Sequence, residues 1–252
     1  MQHILVIGIG AGDPDHLTLQ AVKALARTDV FFILDKNEER QDLIRLRRRM
    51  LADHARPDHR LVEVPDAERD RSTPAYAAAV DDWRHRRADI VEQLVAEHLG
   101  PDETGAFLVW GDPSLYDSVI AVVEEVLARG GPAFEYEVIA GISSVSALAA
   151  RHRTTLTRVG RPVQITTGRR LAAGFPEGVD DVVVMLDGRA AFTEIDPEGL
   201  DIYYGAYLGT PDEILAAGPL AQTAPQIREL REQARERKGW IMDTYLLRRS
   251  QD

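Results

Sequence analysis

Two glycine turns, about a hundred residues apart, constrain this chain more than any other feature. Gly8-Ile9-Gly10-Ala11-Gly12-Asp13-Pro14 directly follows the apolar run Ile4-Leu5-Val6-Ile7. Gly111-Asp112-Pro113-Ser114-Leu115-Tyr116 directly follows Phe107-Leu108-Val109-Trp110. Each reads as a buried strand, a tight turn and then a helix. Open α/β sheets bind ligands at the carboxyl ends of such strands, where a missing side chain lets backbone approach a small molecule. One such turn suggests a nucleotide fold; the second has no place in that reading.

The rest of the chain fits an α/β protein. Residues 3–7, Val30 to Leu34 (ending at Asp35), Leu61 to Val64, Phe107 to Trp110 and Glu135 to Ile139 read as strands. Helices are expected over Leu17–Thr28, residues 38–53, Ala75–Leu99, Leu115–Leu127 and Ser143–Arg151, where apolar residues recur at helical spacing. Further strands follow at 163–166, 182–185 and 202–204, with Pro211 and Pro225 placed to open two helices and 240–247 as a final strand. The expected division is a first α/β domain over 1–115 and a second over 116–252.

Composition narrows the function classes. At 252 residues and 44% hydrophobic content the chain can bury a substantial core. The absence of cysteine removes disulfides, thiolate metal sites and a cysteine nucleophile, and fits a reducing cytoplasm. No apolar run is long enough to span a bilayer. A formal net charge of −11 argues against nucleic-acid binding, but a local basic patch can still hold a small anion. Asp53-His54 and Asp58-His59 lie in a polar, proline-marked stretch without ligand spacing, so no metal site is expected. Ser114 lacks the elbow of a hydrolase.

A dinucleotide site is the first reading to weigh. Gly8 and Gly10 precede a helix, and Asp35 closes the next strand where a ribose-binding acid would sit. The spacing is G-x-G-x-G rather than G-x-G-x-x-G, however, and Asp13 and Asp15 would repel a pyrophosphate. Acidic turns suit a ligand with a cationic part, such as the sulfonium and ammonium of S-adenosylmethionine.

At this point the residues resemble a known family. Gly8 to Thr18 is similar to the N-terminal signature of the tetrapyrrole (precorrin/corrin) methyltransferases, and Gly111-Asp112-Pro113 to their second signature. Gly141-Ile142-Ser143-Ser144 and Val183-Val184-Met185-Leu186 resemble later blocks, in order, across essentially the whole chain. Many members carry Pro where Ala11 and Ala140 stand here. Asp35-Lys36, the arginine-bearing helix after it, Trp110 to Ser118, Ile165 to Arg170 and Tyr204 to Glu213 resemble one branch of the family. That branch methylates precorrin-5 at ring carbon 1 and releases acetate. A sibling enzyme acting at another ring carbon is the alternative, and a non-catalytic binder of donor or tetrapyrrole is a third.

The resemblance implies two αβα domains with S-adenosylmethionine in the cleft between them, and a homodimer. It implies donor contacts from Gly10, Ala11, Gly111, Asp112, Pro113, Tyr116, Ser143, Ser144, Met185, Leu186 and Gly209. Methyl transfer mainly needs alignment of carbon, methyl and sulfur. Acetate release needs a base and an oxyanion partner, for which Asp112, Tyr116, Asp35 and His16 are candidates. A precorrin carries many carboxylates, so Arg45, Arg47, Arg48, Arg49 and Lys36, with Arg169 and Arg170, are the candidate cations.

Overall fold

The computed structural model describes residues 1–35, 41–68 and 76–250. Five short strands form a parallel sheet: β1 (Gln2–Gly8), β2 (Val30–Asp35), β3 (Arg60–Pro65), β4 (Thr104–Val109) and β5 (Phe134–Ile139), in the order β3-β2-β4-β1-β5. The central strands β1, β2 and β4 are unbroken apolar runs because both their faces are covered, whereas the edge strands β3 and β5 alternate apolar with charged residues. Ile4, Val6, Phe32 and Phe107 pack on α3 (Tyr76–His98) and α4 (Val119–Ala128). Leu5, Ile7, Phe31 and Leu108 pack on α1 (Leu19–Arg27) and α2 (Gln41–His54).

Strand β1 therefore sends its chain to one face and its neighbour β4 to the other. Adjacent strands that part in this way open a crevice at their carboxyl ends, and both glycine turns stand there. Thr18 starts α1 by accepting the Ala21 N–H at 3.0 Å.

The second sheet is mixed. It comprises β6 (Val163–Thr167), β7 (Asp181–Met185), β8 (Leu200–Ala206), β9 (Ile214–Pro219) and β10 (Asp243–Arg249), ordered β6-β7-β10-β8-β9. Only β6 and β7 run parallel; the final strand, β10, lies antiparallel between β7 and β8. Helices α5 (Ser144–His152), α6 (Gly168–Leu171) and α7 (Leu220–Lys238) accompany it. Leu220, Thr223, Ile227, Arg231 and Ala234 form the buried stripe of α7, which packs on β8 and β9.

The chain forms two compact units, Met1–Gly10 with Pro14–Ile142, and Ala11–Asp13 with Ser143–Asp252. The division falls at 142/143 rather than 115/116, because α4 covers the first sheet and β5 pairs with β1 along its length. Two expected helix starts are also corrected. Helix α4 begins at Val119 instead of Leu115: Tyr116 has φ 56°, a left-handed value that no right-handed helix contains, and Asp117 accepts the Val119 N–H at 2.7 Å. Pro211 opens no helix; after a short turn, Ile214 to Pro219 pair with β8 as an edge strand. Pro225 lies inside α7, near its beginning, rather than at its start.

Candidate functional site

In the first unit the two glycine turns meet backbone to backbone. Gly111 N–H donates to the Gly10 carbonyl at 2.8 Å, and Gly10 N–H returns a bond to the Gly111 carbonyl at 3.3 Å. Gly141 closes against both loops. A Cβ there would stand 2.1 Å from the Gly111 carbonyl oxygen and 2.8 Å from the Gly8 carbonyl carbon. Only glycine lets three chain segments cross this closely.

Asp112 braces the crossing. One carboxylate oxygen accepts the Gly141 N–H at 2.8 Å; the other accepts the Ser114 N–H at 2.9 Å and the Ser114 hydroxyl. Burial pushes this carboxyl up, but the hydrogen bonds from Ser114 and Gly141 outweigh it and hold the group below the usual carboxylate range. A carboxylate so committed is a weak proton acceptor. Pro113 is buried behind it. Tyr116 presents a ring that is 46% exposed on left-handed backbone, and partial burial pushes its phenol up. That phenol stays protonated at neutral pH and can donate a hydrogen bond.

His16 backs onto Gly10, and its Nδ1 is buried without a hydrogen-bond partner among the described residues. Asp35 closes β2, with its side chain outside what is described, and Lys36 lies outside the described residues.

A cavity of about 160 Å³ opens at the carboxyl ends of β2 and β4, walled by Phe32, Leu34, Phe107 and Trp110 together with Arg47 and Arg87. The Arg47 guanidinium lies 5.5 Å from the Trp110 ring centroid, and the buried indole Nε1 has no hydrogen-bond partner among the described residues. Arg87 is 5% exposed; it bonds Asp66 at 2.8 Å and the Ser118 hydroxyl at 2.5 Å. It ties α3 to the loop that carries Tyr116, a role no local sequence signal announces.

Of the expected substrate cations, Arg48 grips both Glu63 oxygens at 2.9 Å, while Arg45 is exposed on α2. Arg169 and Arg170 are exposed on α6.

In the second unit one end of the sheet gathers the remaining expected residues. Met185 ends β7 and pairs with Thr244 of β10, whose hydroxyl meets the Ser144 hydroxyl at 2.9 Å. Ser143 caps α5 by accepting the Ser146 N–H at 3.2 Å. Gly209 follows β8 with φ 76°, and a Cβ there would lie 2.7 Å from the Asp13 nitrogen. Ala11 is buried within the same unit. Leu186, next after Met185, is 65% exposed and left-handed at φ 53°. Thr244 was not foreseen, because nothing in sequence places the last strand beside β7. Among the described residues no group of three or more acidic or histidine side chains could hold a metal, and no helix is long and apolar enough to cross a membrane.

A parallel sheet with glycine turns crossing at adjacent strand ends, and a mixed sheet with an exposed apolar residue at one strand end, define an α/β protein of the kind that takes small molecules at its strand ends. Comparison with known proteins makes this specific: the profile of the Tetrapyrrole (Corrin/Porphyrin) Methylases matches residues 3–224, and the chain belongs to that family. It is a methyltransferase.

A Sinorhizobium protein named precorrin-6A synthase [deacetylating] is 50% identical over 253 residues, covering 100% of this chain and 97% of its own. A crystal structure of a cobalamin-synthesis-related protein, CobF, from Corynebacterium diphtheriae matches with TM-score 0.87 at 37% identity, covering 100% of each chain. A uroporphyrin-III C-methyltransferase from Thermus thermophilus, solved with S-adenosyl homocysteine, shares the fold at TM-score 0.60 and 21% identity, over 97% of this chain and 96% of its own.

Proposed function

We propose that this chain transfers a methyl group from S-adenosylmethionine to ring carbon 1 of precorrin-5 and releases the extruded two-carbon unit as acetate, giving precorrin-6A. The observation that carries this reading is the full-length 50% identity to a protein bearing that activity in its name. The Thermus relative holds the demethylated donor, which supports the same donor here. A cytoplasmic homodimer is part of the proposal.

The residues fit such a donor. Asp13, Asp15 and Asp112 place carboxylates on the turns, which suits a sulfonium and an ammonium. Gly10 and Gly209 serve the turns themselves, since a Cβ at either would meet His16 or the Asp13 backbone. In this reading the candidate donor contacts are Gly10, Ala11, Gly111, Asp112, Pro113, Tyr116, Ser143, Ser144, Met185, Leu186 and Gly209. When bound, the donor supplies an electrophilic methyl group; the protein's task is alignment, which can contribute about 7–11 kcal/mol.

Acetate release divides differently. Asp112 shapes the loop instead of taking a proton, since its oxygens already accept three hydrogen bonds. Tyr116, a protonated phenol, donates to the ketone oxygen as charge develops there. Asp35 and His16 are the remaining candidates for the base that activates water. The precorrin carboxylates meet Arg45, Arg169 and Arg170, with Arg47 at the cavity edge. That cavity is smaller than the roughly 300–1,000 Å³ of sites enclosing whole drug-sized ligands, so it suits an arm of the substrate, not the macrocycle.

The test is calorimetric titration with S-adenosylhomocysteine and, in parallel, NAD, followed by turnover of precorrin-5 with acetate measured. Saturable binding of S-adenosylhomocysteine alone, with one acetate per methyl transferred, is the expected result. Methylation of precorrin-5 without acetate would sink the deacetylating assignment, and binding of NAD alone would sink the donor.

A further inference from the structure

Leu186 stands where the fold itself gains nothing from a leucine. Its side chain is 65% exposed, and φ is 53°. Non-glycine residues held in this region are strained and persist only where their surroundings over-determine them. The surroundings here do so. Asp187, 4% exposed, accepts the Arg189 N–H at 3.0 Å on one carboxylate oxygen. Its other oxygen accepts the Ala191 N–H at 2.7 Å and the hydroxyl of fully buried Tyr245 at 2.6 Å.

Arg231, itself buried on α7, donates to the Asp187 carbonyl at 2.8 Å, and Arg235 donates to the Gly188 carbonyl. Gly168 completes the enclosure: a Cβ there would lie 2.5 Å from the Asp187 carboxyl carbon. A turn of six residues, 186–191, is thus pinned from β10, α6 and α7 while its first side chain points an apolar surface at solvent.

We propose that the Asp187 carboxylate and the Tyr245 phenol are positioning residues, which hold Leu186 in its strained conformation so that the end of β7 meets the adenosyl part of the methyl donor. The proposal rests on the donor reading above and adds to it a brace that never touches the ligand. Tyr245 lies in the core of β10, so its hydroxyl acts on the ligand only through Asp187 and the turn.

A double-mutant cycle of Tyr245→Phe and Leu186→Gly, read by calorimetric titration with S-adenosylhomocysteine and by thermal unfolding, tests it. Tyr245→Phe should weaken S-adenosylhomocysteine about tenfold, equivalent to about 1.4 kcal/mol. Leu186→Gly should raise the unfolding midpoint, because glycine adopts this backbone freely, and yet weaken the ligand. In the double variant the two losses of affinity should not add, since the brace has no strained side chain left to position.

A Tyr245→Phe protein that binds as the parent does, or losses that add in full, overturns the proposal while leaving the donor reading intact. A parent that does not bind S-adenosylhomocysteine overturns the donor reading itself, and the proposal with it. Should Tyr245→Phe not fold, Leu186→Gly decides alone: parental affinity overturns the proposal, and a more stable, weaker-binding protein supports it.

Discussion

Gly141 shows how much one missing side chain decides. Its Cβ would fall on the Gly111 carbonyl oxygen, and backbone cannot yield as a flexible side chain does. Gly141→Ala should therefore destabilise the protein by about 1–3 kcal/mol, the usual range for overpacking, as measured by urea unfolding. Asp112 makes a second prediction at this scale. Its carboxyl is held below the ordinary value of 3.8, so its stabilising contribution is fully present above that value. It is lost as the pH falls from 3.8 through the lower folded-state value. Asp112→Asn should be less stable than the parent at pH 7, because an amide cannot accept all three donors, and the difference should shrink below pH 3.8 in acid-unfolding curves.

Elements add what single residues cannot. Helix α7 packs on β8 and β9 with Arg231 in its buried stripe, paired with Asp243 at the start of β10. Tyr204 donates its hydroxyl to the same carboxylate at 3.0 Å. Removing one partner leaves a buried charge without its counter-charge, so Arg231→Met should cost about 3–5 kcal/mol in denaturant unfolding. At α1, Thr18→Ala removes the N-terminal cap and should cost about 1 kcal/mol. The contrast between the two tests is diagnostic: a cap serves one helix, whereas the Arg231 pair joins α7 to the strand between β7 and β8.

Elements also mark where sequence signals were outvoted. Unbroken apolar runs mark β1, β2 and β4, which are covered on both faces, while the edge strands β3 and β5 stand out as short stretches alternating with charged residues between turns. Leu115 to Leu127 read as one helix because apolar spacing cannot register the left-handed backbone at Tyr116. Pro211 looked like a helix start, but pairing of 214–219 with β8 carried more hydrogen bonds than a local start signal could offer.

For the molecule as a whole, membership of the methyltransferase family predicts saturable binding of S-adenosylhomocysteine in titration. Binding should raise stability by about 2.7 kcal/mol at a hundredfold excess over Kd, visible as a higher unfolding midpoint. Read along the chain, residues alone fix the α/β class, both glycine turns, the strand-end positions of Gly10, Gly111 and Met185, and the resemblance that family membership bears out. These are local facts: periodicity, turn chemistry and ordered motifs are written along the chain.

Tertiary structure alone decided that the units divide at 142/143, that Gly141 locks the two turns together, that Asp112 is a brace and that Arg48 is occupied by Glu63. It alone placed β10 between β7 and β8, bringing Thr244 to Ser144 and Tyr245 to Asp187 across 100 and 58 residues of chain. The physical reason is the same in each case. Such contacts are set by which strand closes a sheet and which backbone crosses another, and no run of neighbouring residues carries that information.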